Sequence, residues 1–242
     1  MDRGLYIAAS GMIASQVRQD QIANDLANVS TSGYKADRSA QRSFGDLLLA
    51  ERGTGTPIGR VGLGSEISEI RTDFTPSPLK QTDESLDVGI DGAGFLAVET
   101  QQGTRFTRNG QFALAADGTL VSAGGLPVLG ADGKHLVVGG KGKLEIGADG
   151  TITAGGQTLG KLAVVTLTDA AKQGESLFTG KVGAAPAETA IRQGFLETSG
   201  VNAASTMIEM VTSLRAFESA QRVIHTIDET LGRAIQAAAT GM

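Results

Sequence analysis

At 242 residues, 40% of them hydrophobic, the chain has material for one large domain or two modest ones. Its 34 glycines, 4% aromatic content and lack of tryptophan describe a thin, turn-rich body, and a formal charge of -5 with a pI near 5.1 excludes a general nucleic-acid surface. Without cysteine there are no disulfides, thiolate chemistry or Cys-metal sites, although this does not fix the compartment.

The N-terminus is predicted to be helical from about residue 3 to residue 29. Leu5, Ala8, Met12, Ile22, Leu26 and Val29 fall on one stripe of alternating 3 and 4 spacing, interrupted by Ser15 and Gln19. Arg18, Asp20 and Asp25 belong to the wet face, and Ser30-Thr31-Ser32-Gly33 supplies a C-terminal stop. The start turns polar by Gln16 to Gln21 and has neither a signal peptide's apolar segment nor a small-residue cleavage site. No run approaches the roughly 18 apolar residues of a membrane span, so no membrane insertion is expected.

From Lys35 to about Thr82 the periodicity fades. Gly53-Thr54-Gly55-Thr56-Pro57 and Thr75-Pro76-Ser77-Pro78 punctuate the segment, which reads as a short helix or turn around Ser43–Leu49 followed by an extended connector. A β region begins near Leu86, with Leu86–Ile90 and Phe95–Val98 as strands and Asn109-Gly110 as a turn. Three related turns, Asp117-Gly118, Asp132-Gly133 and Asp149-Gly150, are expected to be type I′ hairpins. Their spacings of 15 and 17 fit neither an EF-hand nor a nonapeptide calcium array. Lys161–Leu167 reads as a central strand and Gly183–Ala187 as a loop.

A second helix is expected from an Asn202 cap to about Ala238. Met207, Met210, Leu214, Phe217, Ile224, Leu231 and Ile235 form its apolar stripe, interrupted by Gln221 and Asp228. Its length exceeds that of an ordinary globular helix and favours a role in an assembly. The two stripes either pair with each other or join neighbouring chains.

Chemistry is thinly represented. His135 and His225, the only histidines, have no metal or catalytic constellation beside them in sequence. Asp83, Glu84, Asp87 and Asp91 form the densest acidic cluster, but the aromatic platforms of a glycan-processing enzyme are scarce. Gly89, Gly92 and Gly94 run into Phe95–Val98 instead of opening a helix, so a phosphate trap is not built. No catalytic residue, cofactor or metal site is expected. A passive β-domain adhesin is the other competing class.

Leu5-Tyr6-Ile7-Ala8-Ala9-Ser10-Gly11-Met12, followed by Ile22–Lys35, resembles the N-terminal motif of the flagellar rod and hook family. Ser85–Leu96, Phe106–Phe112 and Ala116–Leu120 resemble that family's β region, and Leu196–Asn202, Met207–Met210 and Arg215–Glu218 its closing helix. Asp25 and Gly200 stand where the family commonly has Asn, Tyr34 and Leu96 where Phe is common, and Gly89 where Ala is common. The resemblance implies an α+β fold in which long N- and C-terminal helices form a coiled-coil-like domain with a β-rich hairpin domain inserted between them. The implied division is 1–36 and 197–242 for the helical domain, 37–84 for the connector and 85–196 for the β domain.

By the same resemblance the chain is a non-enzymatic structural subunit of the flagellar basal-body rod, of the proximal type in preference to the distal, with a hook protein less favoured. It is exported by the flagellar type III apparatus and polymerises with copies of itself and neighbouring rod proteins. The thirteen residues of the two stripes are the expected assembly interface. Arg215 and Glu218 are expected either to pair within the helix or to orient a seam between subunits.

Overall fold

The computed structural model describes residues 2–43, 45–50, 57–62, 64–139, 144–174, 176–184 and 189–240. They group into two compact units. Unit 1 comprises Met1–Ala27, Asp37–Arg71 and Asn202–Met242, and unit 2 comprises Asn28–Ala36 and Thr72–Val201.

Unit 1 is built on helix α1 (Asp2–Ala27) and helix α2 (Ala203–Thr240). α1 stops two residues short of the expected bound because the sequence after it prefers a turn. The Thr31 hydroxyl donates to Asn28 Oδ1 at 3.1 Å and the Thr31 N–H to Asn28 O at 3.1 Å, which draws the backbone out of helical bonding. α2 begins as expected: Asn202 Oδ1 accepts the N–H groups of Ala204 and Ser205 at 3.0 and 3.2 Å, satisfying two donors of the open helix end.

The expected helix or turn over Ser43–Leu49 is not found. Asp46–Ala50 is instead a strand paired antiparallel with Pro57–Gly62, and Asp37–Ser43 pairs with Ser65–Thr72. Much of the expected connector is therefore a β ribbon. Short apolar runs such as Leu47-Leu48-Leu49 carry no period of their own, and the facing strand decides their conformation. Of the expected punctuation, Gly53–Thr56 lies outside the described residues, as does Ala185–Ala187 of the expected loop.

The ribbon packs along one flank of α1. Gln21 Nε2 donates to Asp37 O, and the Ser65 N–H donates to Ser10 Oγ at 3.3 Å. Gly64 is required at this contact, because its φ is +134° and an added Cβ would come within 2.3 Å of Ser10 Oγ.

Unit 2 centres on a five-stranded antiparallel sheet in the order Val164–Val165, Phe95–Thr100, Gly103–Thr107, Leu177–Val182, Leu167–Lys172. Phe95–Thr100 shows the period of two directly. Leu96 and Val98 enter a core with Val88, Leu120, Val128, Ile152 and Leu162, while Phe95 and Ala97 enter a second core with Phe106 and Phe178. Phe74, Phe95 and Phe178 meet edge to face there, with centroids 5.3 to 5.7 Å apart.

Two expectations for this unit need correction. Lys161–Leu167 is not one central strand: Val164–Val165 forms one edge of the five-stranded sheet, Leu167 opens the strand at the other edge, and Lys161 ends a strand of a separate three-stranded sheet. The three Asp-Gly turns are not type I′, which needs positive φ at both central residues; here only Gly118, Gly133 and Gly150 have it, at 82°, 75° and 86°. In the first turn the Gly118 N–H donates to Ala115 O and the Ala115 N–H to Thr119 O, both at 2.9 Å, and the pattern recurs at Gly130–Lys134 and Gly147–Thr151. This is a type I turn closed by a glycine bulge. Each Asp accepts the N–H two residues on, at 3.0, 3.2 and 3.1 Å, so each carboxylate serves its own turn.

Candidate assembly interface

The surface offered by unit 1 follows from how its two helices pair. Gly4 lies beside Ile227, with an added Cβ 3.4 Å from Ile227 Cδ1. Ser213 Oγ donates to Ser15 O at 3.2 Å, and Arg18 faces Glu209 at 3.9 Å. The helices therefore run antiparallel. Along α2, Ala203, Thr206, Met210, Ser213, Phe217, Ala220, Ile224, Ile227 and Leu231 are buried or half-buried. Every other residue from Ala203 to Ala239 is exposed except Glu209. That spacing is an unbroken 3,4 heptad seam.

The seam shares Met210, Phe217, Ile224 and Leu231 with the expected stripe and replaces its other members. Met207, Leu214 and Ile235 are 53%, 42% and 68% exposed. A signal in the sequence distinguishes the two frames. The expected frame passes through Gln221 and Asp228, whereas the observed one contains neither charge nor amide. On α1 the expected frame holds for Ala8, Met12, Ile22 and Leu26, which are buried or half-buried, with Ser15 and Gln19 between them. Leu5 is 42% exposed, and Val29 lies beyond α1, packed in unit 2 with Tyr34, Ala36 and Val201. Asp25, assigned to the wet face, is buried. Gln19 Nε2 is buried in the seam with no hydrogen-bond partner.

Once the helices are paired, apolar rows remain in water. Met207, Val211 and Leu214 form one on α2, and Tyr6, Ile13 and Val17 another on α1. Arg215 and Glu218 are both exposed. The first turn of α2 has no acidic residue and its last turn no basic one, so neither end of the helix dipole is met by a side-chain charge.

Unit 2 has a different character at the segments where the chain enters and leaves it. Lys35 Nζ donates to Glu197 Oε1 and to Thr75 O, both at 2.6 Å, and Arg108 donates to Glu197 Oε2 at 3.2 Å and to Gly92 O at 2.9 Å. The three side chains are at most 2% exposed. Burial pulls the Lys35 ammonium and the Arg108 guanidinium below their ordinary pKa ranges, while the Glu197 carboxylate acts in the opposite sense on both. The Ser77 N–H adds a bond to Glu197 Oε1 at 2.7 Å, and Arg108 stacks over Phe95 at 5.2 Å. Backbone bonds tie the same segments together, from Gly33 N–H to Glu197 O at 2.9 Å and from Gly200 N–H to Tyr34 O at 2.8 Å. Gly33 is irreplaceable there, with φ +67° and an added Cβ 2.4 Å from the Arg108 carbonyl carbon.

The segments that meet in this network coincide with matched family motifs. A model described as flagella basal body rod protein matches residues 5–35, and one described as flagellar hook protein FlgE/F/G D1 domain matches 89–154. A third, described as flagellar basal body rod FlgEFG protein C-terminal, matches 192–237. The flagellar basal-body rod protein FlgG of Bacillus subtilis is 32% identical over 96% of this chain and 97% of its own. The chain belongs to the flagellar basal-body rod and hook family. FlgG of Agrobacterium fabrum is 33% identical over 94% of this chain and 96% of its own, and FlgF of Caulobacter vibrioides 28% identical over 98% of each. Rod proteins of both names thus match along nearly the whole length.

Membership makes this a structural subunit of the bacterial flagellar rod, a non-catalytic class. No helix among the described residues of this rod protein is long and apolar enough to cross a membrane. The residues that raised other chemistries have structural uses here. Asp91 pairs with Arg192 at 2.6 Å, Asp87 is buried, Asp83 accepts from Gln81 at 2.7 Å, and the Gly92 carbonyl is taken by Arg108. His135 pairs with Glu99. The buried Lys35–Glu197–Arg108 network was missed in the sequence, because its members are 73 and 89 positions apart and only the fold brings them together. The available signal was that all three sit inside motifs rich in glycine and hydroxyl residues.

Proposed function

We propose that this rod protein polymerises with copies of itself and with neighbouring rod proteins through unit 1, forming part of the axial shaft that transmits torque from motor to hook. The supporting observation is the apolar surface left over after α1 and α2 have paired. A helix pair whose only task was to close one molecule would have polar outer faces, whereas here Met207, Val211, Leu214, Tyr6, Ile13 and Val17 face solvent. In this reading Leu5, Met207, Leu214 and Ile235 touch neighbouring subunits. Ala8, Met12, Ile22, Leu26, Met210, Phe217, Ile224 and Leu231 hold the pair that presents them, and Val29 anchors the chain just past α1.

Export by the flagellar type III apparatus and residence in the periplasm-spanning part of the basal body belong to the same proposal. We favour the proximal over the distal rod position because the 85–196 region is compact. Truncation of either terminal helix is expected to abolish rod assembly and motility while the soluble β unit persists. Normal assembly after loss of α2 would sink the reading, and surface binding retained without either helix would favour an adhesin. Complementation of strains lacking the proximal or the distal rod subunits separates the two positions.

A further inference from the structure

Unit 2 is closed by its last segment. Ala190–Gln193 pairs with Val88–Asp91, and Phe195–Glu197 with Leu79–Gln81. Ile191 enters the main core and its N–H donates to Ala148 O at 2.9 Å, while Gln193 Nε2 donates to Ser85 O and Leu144 O at 2.7 and 2.9 Å. The Thr82 N–H donates to Gly194 O at 2.8 Å and the Thr198 N–H to Pro78 O at 2.9 Å. Glu197 supplies the carboxylate for Lys35 and Arg108, which lie 162 and 89 positions before it. By contrast, Phe95–Thr100 and Gly103–Thr107 form a hairpin with each other, and the strands from Leu144 to Lys161 pair in chain order. Short loops close first, so the closing segment is set late.

The same segment draws together the two stretches of chain that lead to α1 and α2. The Gly33 N–H donates to Glu197 O and the Ser199 hydroxyl to Asn28 O, both at 2.9 Å, and the Gly200 N–H donates to Tyr34 O at 2.8 Å. Lys172 holds the incoming stretch, with Nζ 2.9 Å from Lys35 O and 4.0 Å from the Tyr34 ring centroid. Along the covalent chain 175 residues separate the end of α1 at Ala27 from the start of α2 at Ala203. Across the Ser199–Asn28 bond the path is about five residues, and the length dependence of loop closure then favours the meeting of the helices on the order of a hundredfold. Each helix needs that meeting, because a helix draws most of its stability from packing its apolar face.

We propose that the segment over 196–201 is a template for the α1–α2 pair: closure of unit 2 around Lys35, Arg108 and Glu197 shortens the loop between the helices, and the pair forms after it. The exposed rows that the polymerisation reading assigns to neighbouring subunits are outer faces of that pair. On that reading, a unit 2 that is still open delays the assembling surface.

The test uses the full-length chain and amide hydrogen exchange read by mass spectrometry. Glu197→Gln is expected to lower protection in α1 and α2 about tenfold, in addition to its effect on unit 2. Asn28→Cys with Ser199→Cys, joined by a short bismaleimide in the Glu197→Gln background, restores the short path without the network, and no native cysteine competes for the reagent. Helix protection is then expected to return to within about twofold of that of the unmodified chain, and to stay low in the same variant left unlinked. Helix protection unchanged by Glu197→Gln, even where that variant unfolds unit 2, would overturn the template. Failure of the link to restore it would do the same. Failure of the unmodified chain to polymerise under rod-assembly conditions would remove the consequence for assembly and leave the template standing.

Discussion

The Lys35–Glu197–Arg108 network in unit 2 and the outer faces of α1 and α2 in unit 1 handle unfavourable exposure in opposite ways. In unit 2 three charges have been taken out of water, and nearly every donor and acceptor has a partner inside the same unit. In unit 1 large apolar side chains have been left in water although the helices already form a regular seam. The first region is complete by itself. The second leaves large apolar side chains exposed, which under the proposed function is where neighbouring subunits attach.

The sharpest way to break this comparison is at Glu197. Replacing it with Gln leaves two buried cations without a counter-charge, and the expected loss of unit 2 stability is about 3–5 kcal/mol, read from urea unfolding of the full chain. A loss below about 1 kcal/mol would show the network to be solvated and the contrast to be false. Next in size is a pair of substitutions on α2. Phe217→Asp puts a charge in the seam and is expected to cost unit 1 on the order of 2–4 kcal/mol. Leu214→Asp, three residues away on the exposed row, is expected to change the melting temperature little and to prevent incorporation into the rod. Equal melting temperatures for the two variants would mean that the seam has been placed in the wrong frame.

A smaller effect of opposite sign is expected at Gln19, whose buried amide nitrogen has no partner in the seam. Gln19→Leu should stabilise the helix pair by roughly 1 kcal/mol, visible as a higher midpoint in far-ultraviolet circular dichroism. A lower midpoint would indicate that the amide is used.

The smallest effect belongs to the turns of unit 2. Hydrogen bonds from Thr151 to Asp149, and from Thr119 to Asp117, hold both carboxylates below the usual value of 3.8. A depressed folded pKa means that the unfolded chain binds protons first. Their contribution is then full above about pH 4 and declines as pH falls through the lower folded values. Asp149→Asn should flatten that acid slope slightly; an unchanged slope would place the acid sensitivity elsewhere.

Much of the fold was legible before any coordinates. Both terminal helices, the Asn202 cap and the hairpins of 85–196 follow from local rules, since periodicity, capping and glycine placement act over a few residues. On α1, Ala8, Met12, Ile22 and Leu26 of the expected stripe are buried or half-buried. The α2 stripe was shifted on alternate positions because a helix with apolar residues on several sides supports more than one 3,4 frame, and only the facing helix selects between them. The ribbon over 37–72 and the edge position of Val164–Val165 were missed for a related reason, since strand pairing depends on a partner that local pattern does not name.

The sequence by itself determined that this chain has two long amphipathic ends, a turn-rich β middle and the motifs of a flagellar rod protein. These properties are written in composition, spacing and side-chain chemistry along the chain. Only the tertiary structure decided which apolar residues are spent on pairing α1 with α2 and which remain in water, and only it brought Lys35, Arg108 and Glu197 together. Burial and charge neutralisation are properties of neighbours in space, and neighbours 89 or 162 positions apart leave no periodic trace in the sequence.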